Sequence, residues 1–123
     1  MKITSFNPLI IAKDTKEIVE VFEELGFERR HLSEDVDNRD DISSVRMKDA
    51  NGFYVDITQN EKAAQTMSAI RMNVDNLDEA YEYLKSKGFV NTRGDKIAAT
   101  GSAKATMMAS PSGFMISLVE HIK

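Results

Sequence analysis

The sequence has no cysteine, only two histidines and no long apolar run. Without cysteine there are no disulfide scaffolds, cysteine–zinc sites, iron–sulfur clusters or thiol nucleophiles, and nothing demands an oxidising compartment. No stretch approaches the roughly 20 apolar residues that span a bilayer, and the opening run MKITSFNPLIIAKDT is too short and too broken for a signal peptide. A cytoplasmic protein without membrane contact is therefore expected. Basic residues are also in deficit: 16 Lys and Arg stand against 20 Asp and Glu, a net charge of −4. Such a chain lacks the clustered cations that grip phosphate backbones, which argues against nucleic acid as a partner. No Ser-His-Asp constellation or glycine-rich dinucleotide fingerprint can be read from the residue order. The small polar stretch from Gly94 to Lys104 lacks the Gly-Lys-Ser/Thr ending of a phosphate-binding loop and reads as a long hairpin connection.

What is present suits one globular domain over residues 1–123, with 41% hydrophobic and 29% charged residues. The acidic run Glu34, Asp35, Asp37, Asp40 and Asp41 reads as a solvated loop. Laid over each other, the two halves repeat. DTKEIVEVFEELGF (14–27) and NLDEAYEYLKSKGF (76–89) superimpose at a shift of 62. Each opens on a helix-capping residue, Asp14 or Asn76, with Glu17 or Glu79 three positions later as in a capping box. Each ends in Gly-Phe, where glycine can take the left-handed conformation that closes a helix. Between these signals the apolar positions have helical spacing: Ile18, Val21, Phe22 and Leu25, then Leu77, Ala80, Tyr81 and Leu84.

Strand-like runs surround both helices. The turns Asn51-Gly52 and Pro111-Ser112-Gly113 correspond at a shift of 61, so a one-residue deletion or bulge lies between helix and turn. Each half reads β-α-β-β-β, with strands near 3–12, 27–33, 43–49 and 53–59, then 67–74, 89–97, 104–109 and 114–121. The modules are residues 1–60 and 61–123. Strand parity turns Ile10, Ala12, Val55, Ile57, Ile70, Met72, Val74, Ile116 and Leu118 toward the helices. The opposite face carries Asn7, Leu9, Ile11, Tyr54, Asp56, Thr58, Ala69, Arg71, Asn73, Met115, Ser117, Val119 and His121, a polar and apolar mixture suited to a ligand cavity. Met47 and Met108 are equivalent in the repeat and read as core fillers.

Paired βαβββ modules with this cadence resemble the vicinal oxygen chelate superfamily, which includes glyoxalase I, extradiol dioxygenases and bleomycin-resistance proteins. PLIIAKDTKEIVEVFEELGF, its echo IRMNVDNLDEAYEYLKSKGF and the closing ASPSGFMISLVE carry the likeness over nearly the whole chain. It implies an α+β, glyoxalase-like fold of two tandem modules around a concave mixed-sheet cavity. Metal-dependent members hold a divalent cation through four side chains, on the first, fourth, fifth and eighth strands. Carried over by position, these fall on Asn7, Asp56, Ala69 and Ser117. Only Asp56 is a good metal ligand, and about three are needed to hold a catalytic ion. No metal and no cofactor are therefore expected.

The resemblance then implies a bleomycin-resistance-like protein that sequesters a small organic molecule, as a homodimer. The expected ligand-binding residues are Asn7, Leu9, Tyr54, Asp56, Arg71, Asn73, Met115 and Ser117, with Asp56 and Arg71 as a pair closing the empty metal position or Arg71 meeting a ligand's carboxylate or phosphate. Two alternatives stay open. One is a glyoxalase-like lyase, isomerase or dioxygenase-related enzyme with a noncanonical metal site at Asp56 and His121; the other is a structural or regulatory protein with a vestigial cavity. His31, beside Arg29 and Arg30, reads as a surface residue.

Overall fold

The structure, a computed structural model, describes residues 1–30, 42–99 and 101–121. Its elements run β1 (Ile3–Ala12), α1 (Lys16–Glu24), β2 (Glu28–Arg30), β3 (Ile42–Lys48), β4 (Tyr54–Asn60), β5 (Met67–Val74), α2 (Leu77–Ser86), β6 (Val90–Asn91), β7 (Ala98–Ala99), β8 (Ala103–Ala109) and β9 (Met115–His121). The result is an α+β fold of two βαβββ repeats. The chain divides into two compact units: Asn7–Ser68, and Met1–Phe6 together with Ala69–Lys123.

In the unit Asn7–Ser68 the strands lie in the order β2-β3-β4-β1, with β1 parallel to β4 and the others antiparallel. The helix-facing side chains gather Val19, Met47, Val55 and Ile57 into a buried core, with Ile10, Ile18, Phe22, Phe27 and Val45 packed against it. In the other unit the order is β5-β9-β8-β6, with β7 also on β8. Its core holds Val74, Leu77, Ala80, Met108, Ile116 and Leu118, flanked by Met72, Tyr81, Leu84 and Phe89. Met47 and Met108 are each 0% exposed, so both repeated methionines fill cores. The first six residues join this unit: Lys2 N–H donates to Asp75 Oδ1 at 2.6 Å, and Asp75 N–H returns a bond to the Lys2 carbonyl at 3.0 Å.

Both helices end in the same way. Phe27 N–H reaches back to the Phe22 carbonyl and Gly26 N–H to Glu23, while Phe89 reaches Leu84 and Gly88 reaches Lys85. These are Schellman closures, and they need the positive φ of Gly26 (103°) and Gly88 (95°). Phe22 and Phe27 meet edge to face at 5.3 Å across the first. The two hairpin turns also match: Phe53 N–H donates to Asp49 Oδ1 and Phe114 N–H to Ser110 Oγ.

Four expectations are corrected. The cap of α1 is Thr15, which makes no side-chain capping bond because its hydroxyl turns to Gln59 Oε1; Asp14 accepts from Lys16 N–H instead. At α2 Asn76 does cap, accepting from Glu79 N–H at 3.0 Å, while Glu79 pairs with the Met1 amino group rather than with the cap backbone. The buried face of α1 includes Val19, whereas Val21 and Leu25 are exposed. The strand expected over 89–97 stops at Asn91, whose side chain accepts from Arg93 N–H and donates to the Lys96 carbonyl, folding the chain into a turn. Pairing resumes where Ala98–Ala99 meets β8, so the Gly94 to Lys104 stretch contains a hairpin arm. For the strand expected at 27–33, residues 28–30 are strand; positions 31–33, His31 and the acidic run 34–41 lie outside the described residues.

Candidate functional site

The helix-distal face of the Asn7–Ser68 unit is organised around one buried carboxylate. Asp56 sits at the centre of β4, 0% exposed, between Leu9 of β1 and Arg46 of β3 in the strand register. Arg46 donates from Nε to Oδ1 at 2.8 Å and from Nη2 to Oδ2 at 3.1 Å, a two-point guanidinium–carboxylate pair. Asn7 adds a bond from Nδ2 to Oδ2 at 2.7 Å and is itself buried. The Asp56 hydrogen bond holds the Arg46 pKa above its already high ordinary value, against the opposing effect of burial.

Tyr54, two residues before Asp56, shares this face. Its ring lies 5.1 Å from the Arg46 guanidinium carbon and 5.3 Å from the Lys48 ammonium, so two cations share one aromatic ring. Of the expected residues, Asn7, Leu9, Tyr54 and Asp56 are thus neighbours within this unit. In the other unit Arg71 stands opposite Ser117 in the β5–β9 register, with its Nε 3.5 Å from Asn73 Oδ1. Asn73 and Ala69 are buried, Ser117 and Met115 half-buried, and His121 is exposed at the end of β9.

Among solved structures the chain is similar to methylmalonyl-CoA epimerase from Mycobacterium tuberculosis, at 14% identity and TM-score 0.72, over 98% of this chain and 90% of that one. It is also similar to a glyoxalase/bleomycin resistance protein/dioxygenase superfamily member from Vibrio splendidus, at 14% identity and TM-score 0.62, over 97% and 99% of the two chains. A third likeness is to a variant of Streptomyces coelicolor methylmalonyl-CoA epimerase in complex with 2-nitronate-propionyl-CoA, at 15% identity and TM-score 0.68, over 99% and 100%. The chain has the vicinal oxygen chelate fold. No family model and no curated protein matches it.

The four metal-ligand positions of the vicinal oxygen chelate fold do not suit a cation here. At Asn7 and Asp56, both carboxylate oxygens already accept from Arg46 or Asn7, so an ion would face a guanidinium. Ala69 has no donor atom, and the Ser117 hydroxyl is a poor ligand without carboxylate neighbours. Among the described residues no group of three or more His, Cys, Asp or Glu is placed to hold a metal.

Sequence reasoning missed Arg46, Lys48 and a depression on the helix side of the same unit. That cavity, of about 360 Å³, is lined by Val19, Val45 and Ile57 together with Lys16, Arg29 and Gln59, among others. The Arg46 contact had a legible signal. A tight turn at Asn51-Gly52 fixes the hairpin register, which sets Lys48 against Tyr54 and Arg46 against Asp56. Among the described residues, no helix is long and apolar enough to cross a membrane.

Proposed function

We propose that the protein binds a small organic molecule on its helix-distal sheet faces without a metal ion, and holds that molecule rather than transforming it. Asn7, Tyr54 and Asp56 serve this face in one unit, and Arg71, Asn73 and Ser117 in the other. The observation that carries the reading is the state of Asp56: the single carboxylate at the four metal-ligand positions is engaged by Arg46 and Asn7. A guanidinium stands where a divalent ion would draw its only anionic ligand. The homodimer is part of the same proposal, and light scattering tests it.

The likeness to proteins described as epimerases keeps catalysis as the second reading. Against Asp56 as a base stands its hydrogen bonding, since the oxygens that would take a proton already accept from cationic and amide donors. Metal analysis of protein purified without chelator or affinity tag separates the readings. We expect zinc, nickel, manganese and iron far below one per chain, and an unchanged melting temperature with chelator. A stoichiometric metal whose removal abolishes turnover would sink the metal-free reading.

A further inference from the structure

The register of β2, β3 and β4 places two arginines side by side. Arg30 is directly opposite Arg46, and Arg46 directly opposite Asp56, so the three form one row across the helix-distal face. Directly opposed residues have Cβ atoms about 5 Å apart, a spacing at which like charges repel. Asp56 neutralises Arg46. Arg30 is exposed, and among the described residues no acid stands opposite it in the strand register. In the next row Lys48 stands between Glu28 and Tyr54. The two rows together hold three cations against two carboxylates, one of which is spent inside the sheet.

Arg46 is also held in place. Asp56 fixes its guanidinium edge and the Tyr54 ring its flank, while three of its five N–H donors are not used on Asp56. A fixed guanidinium with spare donors, next to a second arginine, matches the geometry of a carboxylate or phosphate group, and its ordering is complete before any ligand arrives. We propose that Arg30, Arg46 and Lys48 form an anion-binding site for a small organic molecule bearing a carboxylate or phosphate group. The assignment rests on the small-molecule reading above and names the ligand's charge class. A long polyanion is disfavoured by the chain's net charge of −4.

The test uses the full chain and three probes of similar size: phenyl phosphate, benzoate and neutral benzyl alcohol. Amide chemical shifts and melting temperature are followed during titration. We expect an anion to perturb residues 28–30, 46–48 and 54–56, with a dissociation constant about tenfold below that of benzyl alcohol. Whether benzoate or phenyl phosphate binds tighter tells the carboxylate source from the phosphate source. Arg30→Gln, at an exposed position, should weaken anion binding several-fold without altering the fold. The paired change Arg46→Gln with Asp56→Asn removes the second guanidinium without stranding a buried carboxylate, and should also weaken it. Equal binding of benzyl alcohol and the anions would overturn the anion assignment and leave the small-molecule reading standing. Anion shifts confined to Thr15, Arg29, Ser43 and Gln59 would place the ligand in the cavity under α1 and overturn it too. Failure of all three probes overturns it as well, and stoichiometric metal counts only against the metal-free reading.

Discussion

Arg46 and Asp56 stand directly opposite each other on adjacent strands, and the guanidinium closes both carboxylate oxygens, at 2.8 and 3.1 Å. The carboxylate is wholly buried and the Arg46 side chain is 22% exposed. Removing either partner alone therefore costs more than the pair contributes, because a buried charge is left behind.

We predict that Arg46→Ala destabilises the protein by about 3 kcal/mol, at the low end for a broken buried pair because Asn7 still donates to Asp56. Arg46→Gln with Asp56→Asn should recover more than half of that loss. Urea denaturation of the single and double variants provides the measurement, and a double variant less stable than Arg46→Ala would contradict the argument.

The two core methionines should behave alike. Met47→Ala and Met108→Ala each remove a side chain with no solvent exposure, at an expected cost of about 2–5 kcal/mol. The Leu variants at both positions should lose less than about 1.5 kcal/mol. Thermal or urea unfolding reads both, and a Leu variant as damaging as Ala would point to a role for the thioether beyond filling space.

The helix starts predict a contrast. Asn76→Ala removes a cap that accepts from Glu79 N–H and should cost about 1 kcal/mol, whereas Asp14→Ala, outside the cap position, should cost a few tenths. Equal losses would restore Asp14 to the capping role that the repeat suggested.

At the helix ends, Gly26→Ala and Gly88→Ala should each lose about 1–2 kcal/mol, since both glycines have φ near +100°. The two losses should be alike. The new methyl at Gly88 would make ordinary van der Waals contact with Pro111 Cγ at 3.4 Å and the one at Gly26 would meet nothing within 4 Å, so neither adds a clash to the backbone strain. Chemical denaturation of both variants under one set of conditions checks this, and a clear difference between them would contradict it.

The sequence pattern made the repeat legible because caps, Gly-Phe closures and turns are local chemistry. The observed bounds of β1 and β5 match the strand-like runs read before each repeated helix. The orientation of α1 was less legible. Ile18, Val19, Val21, Phe22 and Leu25 span an arc of roughly 160° at about 100° per residue, and periodicity does not say which part of it meets the sheet. The strand after Phe89 failed because the Asn91 side chain captures two backbone groups that a longer strand would have paired. The site was half legible for a related reason: Asp56 follows from its distance to Gly52, but its bond to Arg46 depends on pairing β3 with β4, and the face was assigned without β3.

The six opening residues have a consequence for the order of events on the ribosome. Residues Asn7–Ser68 can close into their unit once that length has emerged. Met1–Phe6 precede that unit in the chain and belong with Ala69–Lys123, which follow it. Lys2 must therefore wait for Asp75 to emerge, and a nascent chain that has emerged only as far as Ser68 carries one closed unit beside a strand end without its partners.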